Sequence, residues 1–144
     1  MRIALCVGRF YEELAERLEA GARGALGEAE IDVFDVPGAF ELPLAAKRCA
    51  VSGRYDGVVC LGAVVRGETD HYDYVCGEAA RGIQDVQLET LVPCGFGVLT
   101  VDTYEQALAR TGEGKRDTGA HAAEAVLAQL VVRDRVAAGS RAGA

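Results

Sequence analysis

Unbroken apolar runs alternate along this chain with stretches in which apolar residues recur every three or four positions. The runs are Ile3 to Val7, Ile31 to Val36, Gly57 to Gly62 and Gly95 to Thr100, each rich in Val, Leu or Ile and bounded by Gly, Pro or charge. Short continuous runs of this kind suit strands buried on both faces. Between them, Leu14, Leu18 and Ala22, then Leu42, Ala45, Ala46 and Cys49, then Tyr74, Val75, Ala79 and Ile83 fall at helical spacing. After the fourth run, Asp102-x-x-Glu105 predicts a capped helix start, for a helix over Thr103 to Thr111 with Gly112 just past its end. A last helix over about Ala120 to Val136 would bury Ala122, Val126, Leu127 and Leu130. Strand and helix alternating four times, with one more helix, predict an α/β fold: a four-stranded parallel sheet with right-handed crossovers and helices on both faces, a three-layer α/β/α sandwich. No repeat or linker interrupts the pattern, so residues 1–144 read as one domain whose small, polar tail frays from about Ala137.

Composition narrows the partners. The chain has 144 residues, enough to bury ~70% of the surface that an unfolded chain exposes. It is 50% hydrophobic with a net charge of −7, a balance that argues against a nucleic-acid groove or an anionic membrane surface, both of which need clustered positive charge. The five cysteines, Cys6, Cys49, Cys60, Cys76 and Cys94, are odd in number and never form C-x-x-C or a Cys/His cluster of zinc spacing, so they read as buried thiols with no metal to bind. The apolar start is too short for a signal peptide, and the longest uncharged apolar stretch, Val58 to Val65, is far below the ~20 residues that span a bilayer. A cytoplasmic location is the expectation.

Ligands of open parallel sheets gather at the carboxyl ends of the strands. Three predicted strand-to-helix loops carry unusual residues there: Gly8-Arg9-Phe10-Tyr11, Val36-Pro37-Gly38-Ala39-Phe40-Glu41 and Ala63-Val64-Val65-Arg66-Gly67-Glu68-Thr69-Asp70-His71. Phe10 either stacks on a planar ligand or packs under the first helix. Gly38 lets backbone approach a ligand, while Glu41 by itself reads best as a complement to a helix dipole. Gly67-Glu68-Thr69, before a helix that Asp70 would cap, is suited to presenting amides to a phosphate. His71 falls in the first turn of that helix, where the helix N-terminus favours a neutral imidazole able to accept a proton. His121, amid alanines, has no such neighbours and reads as a helix-surface or packing residue. A phosphate cradle needs a fixed cation, for which Arg110, Arg66 and Arg9 compete. Phe96, inside the fourth run, reads as core when taken alone.

Three motifs carry a more specific resemblance: Val36-Pro37-Gly38-Ala39-Phe40-Glu41-Leu42-Pro43, the stretch from Leu61 through Gly67-Glu68-Thr69-Asp70-His71 to Val75, and Phe96-Gly97-Val98-Leu99-Thr100-Val101-Asp102-Thr103-Tyr104-Glu105-Gln106-Ala107. From Arg2 to about Leu130 the chain resembles the lumazine synthase family. The resemblance implies a flavodoxin-like fold and the condensation of 5-amino-6-(D-ribitylamino)uracil with 3,4-dihydroxy-2-butanone 4-phosphate, in riboflavin biosynthesis, without a redox or metal cofactor. It further implies that Phe10 stacks on the pyrimidine, that Ala39, Phe40, Glu41, Ala63, Val64 and Val65 bind its ring and ribityl chain, that Glu68 and Thr69 cradle the phosphate, and that His71 transfers protons. Phe96 and Arg110 match residues that a neighbouring subunit contributes, to the pyrimidine pocket and the phosphate respectively. Family members form pentameric rings, some of which pair or close into icosahedral shells.

Two positions depart from the family pattern. Tyr11 stands where Asn usually follows the Arg-Phe pair, and Asp117-Thr118-Gly119 stands where Asn-Lys-Gly is common, so Thr118 replaces a phosphate-proximal lysine. Lys115 and Arg116 are the nearby cations at a different spacing. Three rival readings stay open: an archaeal-type riboflavin synthase, for which the Gly-Glu-Thr-Asp-His loop is superfluous, a weakly catalytic flavin-binding or shell-forming relative, and a generic flavodoxin-like binding module.

Overall fold

Alternation within each strand sets up the layers. In the computed structural model, which describes residues 1–67, 71–112 and 116–139, β1 spans Arg2–Gly8, β2 Glu30–Val36, β3 Gly57–Val65 and β4 Cys94–Val101. All pair in parallel, in the order β2-β1-β3-β4. Ile3, Leu5 and Val7 of β1 and Val59, Leu61 and Val65 of β3 join one apolar layer. Ala4 and Cys6, with Val58, Cys60 and Val64, join the other. On the first face α1 (Glu12–Leu26) and α5 (Thr118–Ala138) bury Leu14, Leu18, Val126 and Leu130. On the second, α2 (Leu42–Val51) and α3 (Tyr72–Thr90) bury Leu42, Ala46, Ala79 and Ile83. A short helix, α4 (Tyr104–Ala109), follows β4 and inserts Ala107 into the first layer. The result is the expected three-layer α/β fold of flavodoxin-like class.

Several local expectations shift. β2 is not buried on both faces: it is the sheet edge, with β1 on one side only, and leaves Phe34 39% exposed. Nor is Phe96 core, for it lies 42% exposed on β4 at the other edge. β3 runs on through Ala63, Val64 and Val65, because its ladder with β4 continues to the pair Val65–Val101, so these three residues belong to a strand rather than a loop. On α3 the buried stripe is Ala79, Ile83 and Val86, and Tyr74 points outward. The capping box of α4 sits one residue later than Asp102-x-x-Glu105: the Thr103 hydroxyl accepts from the Gln106 N–H at 3.2 Å, and Gln106 Oε1 accepts from the N–H groups of Asp102 at 2.8 Å and Thr103 at 3.3 Å. α4 stops at Ala109 and makes Arg110 its C-cap. α5 starts at Thr118, where Asp117 Oδ1 accepts from the Ala120 N–H at 3.1 Å, and stays helical through Ala138, two residues into the stretch expected to fray.

The strand order creates the working edge. From β1 the chain moves to β2 on one side, then to β3 on the other, so connections leave the carboxyl ends of β1 and β3 in opposite directions. A crevice opens at such a switch point.

Candidate ligand cleft

Ladder bonds that outlast the strands set where each loop begins. Arg9 N–H donates to the Val36 carbonyl at 2.9 Å, and Arg66 N–H to that of Val101 at 2.8 Å. Beyond β1, Gly8 lies so near the turn after β2 that a Cβ there would stand 3.0 Å from the Gly38 carbonyl carbon. That turn is closed by Glu41, whose Oε1 accepts from the Gly38 N–H at 2.9 Å within a single 3-10 turn, Ala39–Glu41, that runs straight into α2. Glu41 therefore does more than face a helix dipole: it shapes the turn.

Between these banks lies a cleft of about 160 Å³ lined by Phe10, Tyr11, Gly38, Ala39, Phe40, Glu41, Ala63, Val64, Val65 and Val75. Phe10 is 68% exposed, so it does not pack under α1, and the Tyr11 ring meets it edge-on, with centroids 4.8 Å apart and planes at 77°. An apolar side chain left so open at a cleft presents a stacking face. Gly38, read from sequence as letting backbone approach a ligand, lies in the lining, and Tyr11 and Val75 join it unannounced. Val75 lies one helical turn after His71, its N–H donating to the His71 carbonyl at 2.9 Å, a spacing that placed it on this face all along.

The far bank is braced by Arg66. Its Nε lies 2.9 Å from Asp102 Oδ1, its Nη1 3.9 Å from Asp73 Oδ1, and its guanidinium 4.2 Å above the Tyr72 ring. The brace joins the ends of β3 and β4 to the first turn of α3. His71 is the N-cap of α3, one residue ahead of the first turn, with its ring 6.4 Å from that of Tyr74. Glu68, Thr69 and Asp70, assigned from sequence to phosphate binding and capping, lie outside the described residues, as does Lys115.

Of the three candidate cations, two are engaged elsewhere. Arg9 pairs with Asp35 and Glu19, each at 2.8 Å, and with Glu12 at 3.4 Å. Arg66 is held as described above. Arg110 makes no ion pair among the described residues, and its carbonyl accepts the Thr118 N–H at 2.9 Å, which sets positions 110 and 118 side by side. Neither Arg110 nor Phe96 lines the cleft of its own chain. Phe96 lies instead in a groove with Gln87 of α3 and Ala125 and Gln129 of α5. His121 is exposed on α5, and the five cysteines are unpaired thiols, Cys76 half-buried and the rest buried. No described helix is long and apolar enough to cross a membrane.

A parallel sheet in a three-layer fold, with an aromatic-flanked cleft at its switch point, defines an α/β protein of the class that places small-molecule sites at this edge. A family model described as 6,7-dimethyl-8-ribityllumazine synthase matches residues 1–134. The 6,7-dimethyl-8-ribityllumazine synthase of Salinibacter ruber (strain DSM 13855 / M31) is 50% identical over 131 residues, covering 88% of this chain and 84% of that protein. The chain belongs to the lumazine synthase family.

Proposed function

We propose that the chain condenses 5-amino-6-(D-ribitylamino)uracil with 3,4-dihydroxy-2-butanone 4-phosphate to give 6,7-dimethyl-8-ribityllumazine, phosphate and water, as a transferase of riboflavin biosynthesis. The observation that carries this reading is the family match over residues 1–134, with the cleft lying where its motifs converge. Phe10 stacks on the pyrimidine, and Ala39, Phe40, Glu41, Ala63, Val64 and Val65 hold its ring and ribityl chain. Glu68 and Thr69 cradle the phosphate. His71 carries the protons: joining an amine to a ketone expels water, and expulsion of phosphate requires a proton to leave carbon, so both steps use one group that accepts and returns a proton.

The assembly is a ring of identical subunits, pentameric as the resemblance implies, with sites shared between neighbours. At about 160 Å³ the cleft of one chain is below the ~300 Å³ at which small-molecule pockets begin, although two substrates must meet in it. Phe96 and Arg110, exposed or half-buried and outside their own cleft, supply the remainder to the next chain. Five unpaired thiols suit a cytoplasmic location.

The test is direct: mix the purified chain with both substrates and follow lumazine absorbance and fluorescence. Product formation is expected. Riboflavin made from lumazine alone would favour the riboflavin synthase reading, and ligand binding without turnover would favour the weakly catalytic one.

A further inference from the structure

Away from the cleft, the α2 and α3 layer contains four buried thiols, and two of them touch. Cys6, fully buried on β1, has its Sγ 3.8 Å from Sγ of Cys49, on α2. No other sulfurs are in such contact among the described residues. Cys60 is sealed in the core, Cys94 donates its S–H to the Val92 carbonyl at 3.5 Å, and Cys76 is half-buried on α3. Nor do three His, Cys, Asp or Glu side chains converge as a metal site among the described residues. The pair is therefore a dithiol, with its two members set 43 positions apart in sequence and brought together by the fold.

Only one of the two is reachable. Cys49 lies in the wall of an outer groove of about 320 Å³, with Phe34, Ala45, Arg48, Ser52, Arg54 and Tyr55. A hydroperoxide as small as hydrogen peroxide is close to water in size, ~30 Å³, and enters such a groove readily. Burial and the charge of Asp32 both work against the Cys49 thiolate. The contact between the sulfurs, in which either thiol can donate, outweighs them: it holds the Cys49 thiol below its ordinary range, while Cys6 is pushed up by the same contact and then by its deeper burial.

We propose that Cys49 and Cys6 form a reversible peroxide-sensitive pair, Cys49 as the attacking and Cys6 as the resolving thiol. Cys49 sulfur attacks one peroxide oxygen and the O–O bond breaks. Cys49 becomes a sulfenic acid, and the departing oxygen leaves as water with the proton of the thiol. Cys6 sulfur then attacks Cys49 sulfur and expels hydroxide, which takes the Cys6 proton and leaves as a second water. Two thiols are oxidised to a disulfide and one peroxide is reduced to two waters. The sulfurs need to close from 3.8 Å to about 2.05 Å for the bond to form. The bond would tie β1, which leads into Gly8 and Phe10, to α2, which follows Phe40 and Glu41, and so cross-link the supports of both sides of the first bank.

The experiment uses the full chain, treated with a few equivalents of hydrogen peroxide, alkylated, unfolded and mapped by mass spectrometry. A loss of 2 Da, a cross-link between the peptides holding Cys6 and Cys49, and full reversal by dithiothreitol are expected. In Cys6→Ser, dimedone should trap a sulfenic acid at Cys49, and in Cys49→Ser no cross-link should form. If either variant fails to fold, the map of the unaltered chain still decides. Five alkylatable thiols after treatment, a sulfinic acid at Cys49 in place of the cross-link, or a disulfide through Cys60, Cys76 or Cys94 would each overturn the assignment.

Discussion

On the proposed function, His71 is the proton carrier and Arg110 the fixed cation. Positioned acid–base groups are worth ~10² to 10⁴ in rate, and for a condensation that also proceeds unaided the loss in His71→Ala should fall toward the lower end of that range. Unchanged turnover of a folded His71→Ala would remove this residue from the mechanism. At the phosphate, Arg110 offers paired charge-assisted hydrogen bonds, each worth ~1.5 to 3 kcal/mol. Arg110→Ala should therefore raise KM for the butanone phosphate some tenfold or more, and that for the pyrimidine far less. Because Thr118 is bonded to the Arg110 carbonyl, Thr118→Lys adds a second cation beside the first and should lower KM for the phosphate substrate. Equal weakening of both substrates in Arg110→Ala would show the cation to be misassigned. At this scale sequence located the cleft lining wherever a motif ran through it, as at Phe10 and Ala39 to Glu41. It was silent on Tyr11 as a wall of the cleft, because an edge-on ring contact leaves no periodic trace.

Elements meet here through glycines and one partly exposed carboxylate. At Gly119, in the first turn of α5, a Cβ would stand 2.1 Å from the Leu18 carbonyl oxygen of α1. That neighbour is backbone and cannot swing aside. Gly119→Ala should cost at least ~2 kcal/mol, read as a lowered denaturation midpoint with the denaturant slope unchanged. Asp56, between α2 and β3, accepts the Arg2 N–H at 2.9 Å and meets Arg133 of α5 at 3.3 Å. The backbone bond from Arg2, more than Arg133, holds its carboxyl below the ordinary range. A depressed folded-state pKa means that the carboxylate stabilises the fold above its unfolded value of about 3.9 and loses that contribution as pH falls through the folded value. Asp56→Asn should thus be less stable than the parent at pH 7, by no more than ~1 kcal/mol for so exposed a group, with the difference shrinking as pH falls below the unfolded value. Continuous apolar runs identified every strand, yet Phe34 and Phe96 misled. Burial of an edge strand depends on which neighbours it lacks, and no local pattern contains the order of strands.

For the whole molecule the sharpest test is complementation. Rings assembled from a mixture of His71→Ala and Arg110→Ala subunits should regain activity, since some sites then join an intact His71 from one chain to an intact Arg110 from the next. Verified mixed rings without any recovery would argue that each chain works alone. Sequence made the class of fold readable through its alternation, and the family through its motifs. The small size of the cleft, about 160 Å³, needed coordinates, because it is a matter of volume.

The described cleft lining ends at Val75, whereas the layer behind Leu14 and Leu18 is completed by Val126 and Leu130 of α5. During synthesis, a nascent chain would hold all of these cleft residues long before the helix that keeps them in place has been made. Until α5 emerges, one face of the sheet has only half its cover, and folding must wait for the last elements rather than proceed from the first. Ending translation before Thr118 should yield a chain with every lining residue present and no cooperative unfolding transition. Such a fragment would depend on chaperones, and the lifetime of that exposed face would set how fast the protein can be produced without aggregating.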